Sequence, residues 1–176
     1  MKTQWNIDPV HSSVSFSIKH MMIANVHGGF EKLNGSLVYD AQTPADSKVD
    51  VTIEAASITT REPQRDAHLK SADFFDVEKY PTLTFKSKRV DGSGDDLKVT
   101  GDLTIHGVTK EVVLEVEGPT GEMKDPYGNL KIGASATTKI KRKDFGLTWN
   151  AALETGGLLV GDDVNITLEI QFVKKA

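Results

Sequence analysis

The chain has 176 residues, and its 21 basic and 25 acidic side chains leave a net charge of −4 with neither sign gathered into a block, so a nucleic-acid footprint is excluded. That length suits one domain, residues 1–176, with a single core. Cysteine is absent, which excludes disulfide frameworks, thiolate metal sites, cysteine nucleophiles and iron–sulfur clusters.

The opening Met1-Lys2-Thr3-Gln4-Trp5-Asn6-Ile7-Asp8 lacks the basic, apolar and small-residue segments of a secretory signal, which predicts a cytoplasmic protein. No apolar run approaches the roughly 20 residues of a membrane helix, so no integral membrane segment is expected. Residues 11–20 alternate Val14, Phe16 and Ile18 against Ser13, Ser15, Ser17 and Lys19, the period-two pattern of a half-buried strand. A short helical turn is expected over residues 20–25. The strand period returns in Val49, Val51, Ile53 and Ala55. Residues 65–77 carry the one clear helical character, and Leu69, Phe74 and Phe75 within them are expected to cover the core.

Downstream, Leu83 and Phe85 alternate with Thr82, Thr84 and Lys86, and Leu97, Val99, Leu103 and Ile105 lead through His106-Gly107-Val108 into Val112, Leu114 and Val116. That reads as a β-hairpin. Two more strands follow, one with Ile132, Ala134, Ala136, Thr138 and Ile140 on a face, the other with Val164, Ile166, Leu168, Ile170 and Phe172. Turns are marked by residues 91–95, 118–121 and 125–129 and by Gly156-Gly157. The expected architecture is therefore all-β: a single antiparallel barrel of about eight strands with one or two short helical segments.

A barrel of this size is either filled by its own side chains or holds one ligand. The apolar faces place Val14, Phe16, Ile18, Val51, Ile53, Phe85, Leu103, Ile105, Leu114, Ile166, Leu168 and Ile170 inside, and the small Ala and Thr positions leave room there. Met21, Met22, Phe74 and Phe75 lie in connections too apolar for ordinary loops, so they either form a mouth or plug the barrel end. Phe145 and Trp149 are expected at the opposite end.

The polar residues point to no chemistry. His11, His20, His27, His68 and His106 show neither i, i+4 nor His-x-His pairing, so no metal is expected. His20 continues the inward face of Phe16 and Ile18, where it meets a head group or a backbone carbonyl. Asp8, His11 and Ser12 read as a turn that starts a strand. Arg142 and Asp144 are expected to pair, with a phosphate as the alternative partner of the arginine. No nucleophile elbow, phosphate-binding loop or zinc-protease motif occurs, so no catalytic residue is assigned.

Several ordered motifs resemble the YceI-like, polyisoprenoid-binding family over essentially the whole chain. They are Trp5-Asn6-Ile7-Asp8-Pro9-Val10-His11-Ser12, Val26-His27-Gly28-Gly29-Phe30, His68-Leu69-Lys70-Ser71-Ala72-Asp73-Phe74-Phe75-Asp76, Tyr80-Pro81-Thr82-Leu83-Thr84-Phe85 and Arg142-Lys143-Asp144-Phe145-Gly146. The resemblance implies a lipocalin-like barrel, although the lipocalin Gly-x-Trp start is absent, since Trp5 follows Gln4. It implies non-catalytic binding, storage or transport of an isoprenoid lipid, a polyprenyl phosphate or an isoprenoid quinone, without a cofactor. The rival is an enzyme or redox-stress protein acting through a bound quinone. Ligand contacts are expected from Phe16, Ile18, His20, Met21, Met22, Phe30, Phe74, Phe75, Phe85, Leu103, Ile105, Leu114, Phe145 and Trp149. The family also suggests a homodimer, and a periplasmic location if the N-terminus has been trimmed.

Overall fold

A computed structural model describes residues 2–93, 96–151, 153 and 159–175. The strands are β1 (Thr3–Ile7), β2 (Ser13–His20), β3 (Ala24–Phe30), β4 (Leu33–Tyr39), β5 (Lys48–Glu54) and β6 (Ile58–Thr59), then β7 (Thr82–Ser93), β8 (Asp96–Ile105), β9 (Val108–Glu117), β10 (Met123–Lys124), β11 (Leu130–Lys141) and β12 (Val160–Lys174). One α-helix, α1 (Pro63–Lys70), and 3-10 turns at Pro44–Asp46, Ala55–Ser57 and Arg142–Phe145 complete the order.

Every strand pairing is antiparallel, and β11 pairs with β9 on one side and β12 on the other, which closes the sheet. Three consecutive strand pairs act as single bent staves. Along one edge of β12, β2 occupies the first half and β1 the last residues, while β3 and β4 pair with β2 and β1, and β6 and β5 pair with β3 and β4. With β7, β8, β9, β11 and β12 they make an eight-stave barrel, the number at which an interior just wide enough for side chains or one small ligand is expected. The β8–β9 hairpin turns on His106 and Gly107, both at positive φ (57° and 74°), as a two-residue turn matched to strand twist requires.

The helical readings need two corrections. Residues 20–25 are no helical turn: His20 pairs with Ala24 across a hairpin whose Met21 and Met22 take φ of 53° and 62°, because strand pairing on both sides overrides local propensity. The helix expected over 65–77 runs from Pro63 to Lys70. Glu62 caps it by accepting from the Gln64 and Arg65 amides, and Ser71 ends it in an extended conformation. The following residues fold back through turns in which Phe75 N donates to Leu69 O. The Gly156-Gly157 turn lies outside the described residues.

The bend between β1 and β2 is held by Asp8, as the turn-closing reading expects. Its carboxylate accepts from Val10 N and from Lys131 Nζ at 2.7 Å, and lies 2.9 Å from His11 Nδ1. The Lys131 hydrogen bond, with smaller help from His11 and the Val10 amide, outweighs the opposing desolvation and lowers the Asp8 pKa from 3.8 to about 2. A folded-state pKa below the unfolded one gives stability that is present above about pH 4 and lost as pH falls through 2. Melting temperatures measured from pH 6 to pH 2 should therefore converge for wild type and Asp8→Asn at the acid end, with the variant less stable at pH 6. Parallel curves would mean that the pair does not hold the bend.

Candidate functional site: an apolar cavity inside the barrel

The inward faces of the strands do not meet. A cavity of about 510 Å³ lies between them, bounded near one end by Tyr39, Lys48 and Pro119 and near the other by His20, Arg65, His68 and Trp149. The volume falls within the roughly 300–1,000 Å³ usual for ligand sites. All twelve residues whose alternation placed them inside line it. Several of them, among them Phe16, Ile18, Leu103, Leu114, Ile166 and Ile170, are only half-buried although they face inward. An inward apolar side chain that keeps accessible surface borders empty space.

Small residues create that space. β11 contributes Ala134, Ala136, Thr138 and Ile140 to the wall, and the first three are small. On β3, a Cβ added to Gly28 would lie 2.5 Å from Phe16 Cζ, so the missing side chain lets the Phe16 ring lie flat over the neighbouring strand instead of crossing the lumen.

At the end beside α1, aromatic rings build the closure. Phe16 packs tilted against Phe30 and Phe30 meets Phe75 edge to face, both at 5.8 Å between ring centres, and the His68 ring stands edge-on to Phe74 (5.1 Å) and Trp149 (4.7 Å). Phe74 and Trp149 are themselves 5.3 Å apart. His68 Nε2 is 2.9 Å from Asp73 Oδ2, which ties the helix to the returning chain. Arg65 fixes the helix to the residue after β6 by donating from Nε to Thr60 Oγ1 and from Nη2 to Thr60 O.

Of the residues expected to touch a ligand, Phe16, Ile18, His20, Phe30, Phe74, Phe75, Phe85, Leu103, Ile105, Leu114 and Trp149 line the cavity. Three do not. Met21 and Met22 project from the β2–β3 tip with 44% and 64% of their surface exposed, and Phe145 is 1% exposed within its 3-10 turn. The hairpin carries the two methionines past the barrel rim, while Phe145 is packed into the core. Trp149 is also not at the opposite end from Phe74 but in contact with it. The sequence reading missed Leu37 and Tyr39 in the wall. Their strand, Leu33–Tyr39, is not assigned from the sequence, because Asn34, Gly35 and Ser36 interrupt its apolar face.

Arg142 differs from its expectation as well. It does not pair with Asp144. Only 3% exposed, it donates from Nε to Gly161 O (2.7 Å), from Nη1 to Leu147 O (2.6 Å) and Trp149 O (2.9 Å), and from Nη2 to Val160 O (3.3 Å). Burial pushes the guanidinium below its ordinary pKa and Asp162 acts in the opposite sense. The charge therefore orders the chain over Trp149 and the start of β12, and most of its donors are committed to carbonyls. Among the described residues no three His, Asp or Glu side chains converge as a metal site.

The model of the YceI-like domain matches residues 5–172 of this sequence. The chain belongs to the YceI-like family. It is 44% identical over 137 residues to Protein YceI of Escherichia coli, spanning 78% of this chain and 71% of that relative. Among solved structures, BcnA of Burkholderia cenocepacia superimposes with a TM-score of 0.79 at 25% identity, over 94% of this chain and 98% of that one. A polyisoprenoid binding domain from Saccharophagus degradans implicated in plant cell wall breakdown shares the fold with a TM-score of 0.69 at 15% identity, over 97% and 98%. The lipocalin-like barrel is thus the fold of this YceI-like chain.

An empty lumen makes a specific prediction about overpacking. Ala136 borders the cavity, whereas Ala55 is 0% exposed in the packed core. Ala136→Leu should leave the melting temperature unchanged or raise it, while Ala55→Leu should destabilise by about 1–3 kcal/mol, the usual cost of forcing methylenes into a full core. Equal losses in thermal denaturation would show that the interior is filled.

Proposed function

We propose that this YceI-like protein binds a long-chain isoprenoid lipid non-covalently in the barrel cavity and acts as its store or carrier. The observation that carries the reading is the cavity itself: an apolar lumen bordered by residues from both barrel ends and walled mainly by Val, Ile, Leu and Phe, with its charged side chains at the ends. An apolar lumen recognises a hydrocarbon chain by contact area, since burying each methylene is worth roughly 0.8 kcal/mol before ordering costs. The shared fold with the Saccharophagus degradans domain supports an isoprenoid as the chain.

The commitment of Arg142 to four carbonyls favours recognition through the tail. A polyprenyl phosphate or an isoprenoid quinone would fill the lumen alike, with its head at the mouth near Lys19, His20 and Trp149. No observation favours the quinone-dependent enzyme, which needs a pair of titratable groups facing each other inside the wall.

Organic extraction of protein purified from cells, followed by mass spectrometry, should yield an isoprenoid lipid in near-stoichiometric amount. Phe75→Asp should fold with wild-type β-sheet signal and lose most of that lipid, because a carboxylate beside the lumen resists desolvation. Lipid-free wild-type protein, or undiminished lipid in a well-folded variant, would contradict the reading.

A further inference from the structure

We propose that the β2–β3 hairpin tip is a membrane-contacting element that seats the cavity mouth on a lipid bilayer. The inference rests on the lipid-binding reading above, and goes beyond it by naming the surface from which the lipid enters.

The tip exposes Met21, Met22 and Ile23 at 44%, 64% and 80%. Elsewhere among the described residues the exposed large hydrophobics are Val10, Val113, Met123 and Tyr127, none adjacent in sequence to another; scattered single exposures of that kind are ordinary. Three in a row at the end of a hairpin are not. The backbone adds to the anomaly, because Met21 and Met22 occupy the left-handed region where Gly, Asn and Asp are the favoured residues. Other short connections are polar, with His106-Gly107 between β8 and β9 and Glu31-Lys32 between β3 and β4. Here the chain accepts both backbone strain and apolar exposure.

The root of the tip belongs to the cavity's end beside α1. Lys19 and His20 border the cavity, as does Leu159, whose carbonyl accepts the Met21 amide at 2.7 Å. A surface that covers the tip therefore lies against the end of the cavity that His68, Phe74 and Trp149 close. Charge fits an anion-bearing bilayer surface: residues 13–30, the whole hairpin, contain Lys19, His20 and His27 but no Asp or Glu, in a chain with 25 acidic residues. On the adjoining strand β12, Asp163 is paired with Lys139 at 3.6 Å and Asp162 acts on the buried Arg142 guanidinium. A second copy of the chain is the poorer occupant, since a stable protein interface takes about 20–30 residues a side and the tip offers three. Lipid needs no complementary surface, and short apolar segments bind at the headgroup boundary in this way.

The test uses Met22→Asn/Ile23→Ser, in which asparagine suits the left-handed position and the fold is undisturbed. With phosphatidylcholine vesicles containing phosphatidylglycerol, wild type should float and the variant's bound fraction should fall tenfold or more. The rate at which a polyprenol passes from these vesicles to the protein should fall likewise, while melting temperature and equilibrium binding of the same polyprenol delivered from ethanol stay at wild-type values. Equal flotation and transfer by the two proteins would overturn the proposal, as would a wild-type dimer that the substitutions dissociate in sedimentation equilibrium. Failure of both proteins to bind polyprenol from ethanol would instead overturn the lipid reading, with flotation still deciding the role of the tip.

Discussion

Once the seam between β11 and β12 is hydrogen-bonded from Lys131–Val173 to Lys141–Asp163, every main stave has two neighbours and each side chain has two destinations, lumen or solvent. Closure fixes the size of the lumen through the number of staves and removes the free edges that an open sheet would expose. The contents of the lumen then follow from side-chain volume alone. Ala134 and Ala136 add little volume to the wall and Gly28 leaves room for the Phe16 ring, so the interior stays open.

An open lumen needs ends, and the two are built differently. One is bounded by the staves themselves, near Tyr39, Lys48 and Pro119. The other is assembled from the irregular parts of the chain: α1, the returning residues that carry Phe74 and Phe75, and the stretch after Arg142 that carries Trp149. These parts share few backbone ladder bonds with the barrel. Aromatic contacts and the carbonyls gathered by Arg142 hold them instead, which makes this end the one whose opening disrupts least of the sheet.

The barrel was legible in the sequence because alternation has one physical cause, burial of a single strand face. It therefore placed Val14, Phe16, Ile18 and nine other residues of the lumen wall without knowledge of pairing. The ends were legible only in part. Phe74 and Phe75 betrayed themselves as aromatics in a connection, but the partnership of Trp149 with Phe74 and His68 joins residues far apart in sequence, and no local pattern carries it. Met21 and Met22 carried the same signal as Phe74, apolarity in a connection, yet the hairpin aims them at solvent. Arg142 was misread for a related reason: a sequence advertises nearby carboxylates such as Asp144, whereas backbone carbonyls, which are its partners, leave no trace in residue identity. Leu37 and Tyr39 were hidden by Gly35, a residue that marks a turn in one setting and a close strand approach in another.

If the lumen recognises a chain by length, the thermodynamics of a homologous series report it directly. Calorimetric titration with prenols of one head group and increasing numbers of isoprene units should show affinity rising by tenfold or more per unit, about 1.4 kcal/mol, until the lumen is filled and then levelling off. The heat-capacity change should grow in step, as burial of apolar surface demands. Equal affinities for short and long prenols would contradict a cavity that binds lipid along its length.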